Sequence, residues 1–95
     1  MKIIISQEAM QWFKEDMEAQ PGESIRFYAR YGGSSALHEG FSLGVTKEVP
    51  TNAAIELTLD DIHFYIEDKD VWYFDGHDLS VSIHSTSGEI EYTYP

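Results

Sequence analysis

The chain predicts an α+β domain: a mostly antiparallel β body, built as a sandwich or distorted barrel, with one N-terminal amphipathic helix packed against it. Three observations carry this. One apolar stripe near the N-terminus, Ala9, Met10, Phe13 and Met17, recurs at helical spacing. After it, six short segments alternate apolar and polar residues with the two-residue period of a strand, and with Ile3 to Ile5 before the helix they make about seven short strands. Turn-forming groups such as Pro21-Gly22, Asp60-Asp61, Asp75-Gly76 and Ser87-Gly88 punctuate the segments at short intervals. With 95 residues, no internal repeat and no low-complexity tract, residues 1–95 form a single domain.

Taken in order, Ile3 to Ile5 is a short strand and Ser6 is the N-cap of the helix, with Glu8 in the first turn, where negative charge suits the helix dipole. Lys14, Glu15, Asp16 and Glu18 face water, Trp12 flanks the apolar stripe as a candidate for a partner surface, and Pro21-Gly22 ends the helix. Ile25, Phe27, Ala29 and Tyr31 then alternate with Arg26, Tyr28 and Arg30. A stripe of arginines can bind a carboxylate or phosphate ligand, but pairing with acidic residues across the sheet is the expectation here. Gly32-Gly33-Ser34-Ser35 reads as the flexible tip of a hairpin, returning through Phe41, Leu43 and Val45. Lys47 to Asn52 is a loop by composition. Ile55, Leu57 and Leu59 form the next strand, Asp60-Asp61 a turn, and Ile62, Phe64 and Ile66 a strand alternating with His63, Tyr65 and Glu67. The aromatic run from Asp68 to Asp75-Gly76 fits a short strand or one helical turn. Leu79, Val81 and Ile83, then Ile90, Tyr92 and Tyr94, complete the strands.

Bulk properties narrow the function. Net charge is −11, from 17 acidic against 6 basic residues. Nucleic acid and anionic membrane surfaces both attract cations, so neither is an expected partner. No apolar run approaches the ~20 residues of a membrane span. Met-Lys-Ile-Ile-Ile is too short for the core of a signal peptide, so a cytoplasmic protein is expected. Cysteine is absent, which removes disulfides, thiolate zinc sites, thiol nucleophiles and ordinary iron–sulfur ligation.

The order of these elements, with Tyr31-Gly32-Gly33-Ser34-Ser35-Ala36-Leu37 between two strands and Ile62 to Asp68 before the Asp75-Gly76 turn, resembles the HesB-like (A-type) iron–sulfur cluster biogenesis domain. The resemblance runs over nearly the whole chain. That family carries a Gly-Gly-Cys-Ser-Gly-type loop and a C-terminal Cys-Gly-Cys-type pair, whose three thiolates hold iron or a nascent cluster. Ser34 matches the first cysteine position and Ala36 the second loop glycine, while Ser87 to Pro95 contains no counterpart of the pair. The resemblance implies a HesB-like fold, with a short helix or turn before Asp75-Gly76. It also implies a non-enzymatic member that holds no cofactor and works as a binding or accessory protein.

The other chemistries are weaker. His38, His63, His77 and His84 form no local chelating pair, and His63 and His84 fall on the polar faces of their strands. His38-Glu39 beside the loop, together with His77, are the candidate ligands for an alternative role as an iron or zinc protein using nitrogen and carboxylate donors. Ser34 with His38 suggests a nucleophile and base, but the Gly-x-Ser-x-Gly elbow is absent, and so are phosphate-binding glycine motifs. Thirteen aromatic side chains (six Tyr, five Phe and two Trp) exceed what so small a core must hold. Trp72 and Tyr73 are the candidate partner-binding residues, and the C-terminal strand is a candidate open edge. A protein partner or self-association, with a homodimer as one form, is expected.

Overall fold

A computed structural model describes all residues, 1–95. The elements run β1 (Ile3–Ile5), α1 (Gln7–Glu15), β2 (Ser24–Ser34), β3 (Glu39–Lys47), β4 (Ala53–Leu59), β5 (Ile62–Glu67), a 3₁₀ helix (Asp68–Phe74), β6 (Leu79–Ile83) and β7 (Ile90–Thr93). They build an α+β fold of two sheets that do not close into a barrel, ordered β1-β6-β7 and β3-β2-β5-β4. The three ladders between sequence neighbours are antiparallel, while β1 with β6 and β2 with β5 run parallel. Both sheets are therefore mixed. A two-residue period reports which side chains share a face but not strand direction, so the parallel ladders lay outside what alternation reveals.

Helix α1 starts as its sequence predicts: the Ser6 hydroxyl accepts from the backbone of Ala9 at 3.1 Å. Ser6 N–H also donates to the Val81 carbonyl at 2.9 Å, which anchors the cap to β6. The helix ends earlier than Pro21-Gly22 would have it. Its last residue is Glu15, and Glu18 adopts a left-handed φ of 54°. Met17 is thus beyond the helix, yet still packs on the core. Between the sheets and α1, Phe13 lies 5.1 Å from Phe64 and 6.1 Å from Phe27, both edge-on, in a core shared with Ile25, Ile66 and Leu79.

Two adjacent aspartates form the β4–β5 turn with φ of 52° and 62°, the pattern of a two-residue type I′ hairpin. Strand β5 is buried on both faces from Phe64 to Glu67, because the β3–β4 loop folds over its outer side. Tyr65 donates its hydroxyl proton to the Glu48 carbonyl at 2.6 Å. The Glu67 carboxylate, 2% exposed, accepts from the backbone of Thr51 and Asn52 and from the Thr51 hydroxyl. The aromatic run resolves as the 3₁₀ helix, closed by Asp75 in the left-handed region.

Candidate interaction surface

The hairpin β2–β3 runs past the end of its neighbour. Only Ser24 to Phe27 of β2 pair with β5, whereas the ladder to β3 continues to Tyr31 opposite Phe41 and resumes at Ser34 opposite Glu39. Gly32 and Gly33 do not form the tip. They make the irregularity between those two register points, at φ of 116° and 68°, and the tip is the segment Ser35 to His38. Ser35 holds that tip: its hydroxyl oxygen lies 3.4 Å from the backbone N–H of Leu37 and 3.2 Å from that of His38.

The turn folds His38 back onto the 3₁₀ helix, where its Nε2 lies 2.9 Å from the Tyr73 carbonyl. A carbonyl only accepts, so Nε2 carries the proton of that bond. The His38 ring also packs at 5.4 Å from Trp72 and 5.3 Å from Tyr73. Trp72 meets Phe41 edge-on at 5.2 Å, and Phe41 meets Tyr31 edge-on at 5.6 Å. The result is a continuous row, Tyr31, Phe41, Trp72 and His38, along the overhanging part of the hairpin. Tyr31 is 85% exposed and Trp72 is 50% exposed. Tyr73, next in sequence to Trp72, is fully buried and its hydroxyl faces that of Tyr94 at 3.2 Å. It supports the row from beneath and presents nothing to a partner.

A charged clamp fixes the 3₁₀ helix against the hairpin. Asp70 pairs with the Arg26 guanidinium at 2.7 Å and sits 3.4 Å from the Ala29 N–H, while Glu48 pairs with the other terminal nitrogen of Arg26 at 2.9 Å. Burial alone would lower the guanidinium pKa; the bonds to Asp70 and Glu48 overcome it and raise it. The Arg26 guanidinium also lies over the Tyr28 ring at 5.3 Å. Arg26 thus pairs with acids from the 3₁₀ helix and the β3–β4 loop instead of across the sheet, and Arg30 pairs with none: its Nε points to the Ser42 hydroxyl at 3.3 Å.

The candidate metal ligands do not converge. No group of three or more His, Asp or Glu side chains is arranged to hold a metal ion. His38 spends Nε2 on Tyr73, while Glu39 and His77 are exposed. His63 is held by Glu56 at 2.7 Å and Ser24 at 3.3 Å instead of facing water freely, and His84 Nδ1 accepts from its own turn at Thr86 and Ser87. An iron–sulfur cluster finds no donors that fit it: the chain has no thiolate, and Ser34 is an exposed alcohol at the strand end. No hydrogen bond joins Ser34 to His38, so the geometry gives the hydroxyl no base.

Comparison with known proteins adds to this geometry. The model of the family described as iron–sulphur cluster biosynthesis matches residues 1–91. A Bacillus subtilis (strain 168) protein named pyruvate dehydrogenase inhibitor is 43% identical over 94 residues, covering 99% of each chain. An uncharacterised protein of Staphylococcus saprophyticus is 36% identical over 95 residues, covering 97% of each. No solved structure matches.

Proposed function

The chain belongs to the iron–sulphur cluster biosynthesis family, and we propose that within it this protein is a non-enzymatic binding protein that inhibits pyruvate dehydrogenase by docking onto it. The observation that carries the reading is the relative named pyruvate dehydrogenase inhibitor, 43% identical across essentially the full length of both chains. Two features of the molecule support it. The donor set that cluster carriage needs is missing, which leaves the family's fold without the family's chemistry. The overhanging hairpin offers an exposed aromatic row, and aromatic side chains are the residues that most often anchor protein interfaces. Such a protein works by occupancy: it forms and breaks no bonds, and its effect follows the fraction of target bound. The reading also takes the protein to be cytoplasmic. No helix is long and apolar enough to cross a membrane.

Titrating the purified protein into a bacterial pyruvate dehydrogenase complex, with pyruvate turnover as the readout, tests this. Activity is expected to fall saturably as the protein is added, and the protein to co-sediment with the complex. Unchanged turnover in large excess, with no co-sedimentation, would refute the reading.

A further inference from the structure

The binding reading leaves open which face docks and what chemistry receives it. We infer that the docking surface is the aromatic row Tyr31, Phe41 and Trp72, and that its occupant is a protein surface with an apolar pocket ringed by arginine or lysine; this rests on the reading above. The apolar side of β2 and β3 begins in the core with Ile25 and Phe27 and continues by strict alternation to Tyr31 and Phe41. The body covers only the first half, because β5 pairs no further than Phe27. Trp72 extends the uncovered half sideways. The row is also preorganised. Edge-on ring contacts, the Ser35 turn, the His38 bond to Tyr73 and the Arg26–Asp70 clamp leave little side-chain freedom to lose on binding.

Charge selects the occupant. Four of the 17 acidic side chains, Glu23, Glu48, Asp60 and Asp70, sit in ion pairs with Lys or Arg, and the other thirteen do not. On the two segments that carry the row, the exposed unpaired acids Glu39, Asp68 and Asp75 outnumber the exposed base Lys69, while Arg30 alternates onto the opposite face beside Ser42. A second copy docked two-fold on this face would set the same unpaired carboxylates against themselves, with no basic rim to answer them. A basic rim on a different protein meets these carboxylates favourably, and a guanidinium can in addition stack on an exposed indole or phenol ring.

The test measures binding of the full chain to the pyruvate dehydrogenase complex for wild type, Tyr31→Ala, Trp72→Ala and Val49→Ala. Tyr31 is so exposed that its truncation leaves the fold intact, and Val49, 78% exposed outside the row, is the control. Tyr31→Ala and Trp72→Ala are each expected to raise Kd about tenfold or more, with Val49→Ala unchanged. Raising salt from about 50 to about 500 mM is expected to weaken binding of the wild type. Wild-type binding that neither aromatic substitution weakens overturns the surface and leaves the inhibitor reading standing. Failure of the wild type to bind removes both. A wild-type dimer in sedimentation equilibrium that Tyr31→Ala dissociates overturns the choice of occupant.

Discussion

Asp70→Ala is the substitution that most directly probes how the hairpin and the 3₁₀ helix are joined. The Asp70 and Arg26 side chains are only 9% and 12% exposed, and their 2.7 Å contact is the shortest in the clamp. Removing one partner of such a pair leaves the other charge uncompensated, which destabilises by about 3–5 kcal/mol when nothing else compensates it. Arg26 keeps Glu48 at 2.9 Å, but that carboxylate is 45% exposed and its attraction is screened. The Ala29 N–H loses its acceptor, and the buried Arg26 Nε has no partner to begin with. Because Glu48 still compensates part of the charge, a loss of about 2–3 kcal/mol follows, at or just below the lower end of that range. In a domain of this size each 1 kcal/mol moves Tm by about 4–8 °C, so the melt should fall by about 10–20 °C. Urea unfolding followed by tryptophan fluorescence measures the loss. Near-UV circular dichroism should register loosening around Trp72, two residues away. The double variant Arg26→Met, Asp70→Leu removes both charges and should recover most of the stability. An Asp70→Ala protein within about 0.5 kcal/mol of wild type would refute the clamp, since that is the size of an ordinary surface change.

Three further outcomes are expected. Ser6→Ala removes the cap of α1 and should lower stability by about 1 kcal/mol in the same urea titration, with little change in the slope. The Thr51 N–H, then the Asn52 N–H and the Thr51 hydroxyl, hold the Glu67 carboxyl below its ordinary 4.5, against the opposing effect of its burial. The stabilisation it gives is therefore complete above pH 4.5 and is lost as pH falls below that toward the folded value; Glu67→Gln should flatten the acid limb of a stability–pH profile, and an unchanged limb would count against the assignment. Ser34→Cys, incubated anaerobically with ferrous iron and sulfide and then desalted, should retain no cluster absorption, because one thiolate cannot replace the usual set of about four cluster ligands.

The sequence made some of this architecture legible and hid the rest for identifiable reasons. Ser6, the stripe from Ala9 to Phe13 and the alternation of each strand are local signals, and the elements stand where they indicate. Gly32-Gly33 reads as a hairpin tip because its backbone freedom suits one, but the same positive φ serves a bulge equally. What decides between them is the pairing of Tyr31 with Phe41 and Ser34 with Glu39, which is set by the partner strand. Tyr65 and Glu67 alternate like solvent-facing residues, and only a loop arriving from fifteen or more positions earlier in the chain buries them. In the candidate site, Trp72 stood out within its aromatic run, but its neighbour Tyr73 looked equivalent. In a 3₁₀ helix with three residues per turn adjacent side chains point about 120° apart, so one faces out while the other is buried. Tyr31 was read as a core-face strand residue, which it is by alternation. Its exposure follows from where β5 stops, and no feature of its own segment encodes that.

The same hairpin shows why this chain keeps its family's fold without the thiolates that the family resemblance leads one to expect. Everything that shapes it is supplied by groups unrelated to metal binding. The glycines set the bulge, Ser35 closes the tip, His38 ties the tip to the Tyr73 carbonyl, and Asp70 fastens the helix that bears Trp72. Ser34 contributes backbone pairing with Glu39, for which an alcohol serves as well as a thiol. Ligand chemistry and hairpin stability are therefore separable here. Absence of the donors leaves the projecting arm in place, and its one exposed large hydrophobic side chain is aromatic, Tyr31, the residue that the proposed docking would use without any metal.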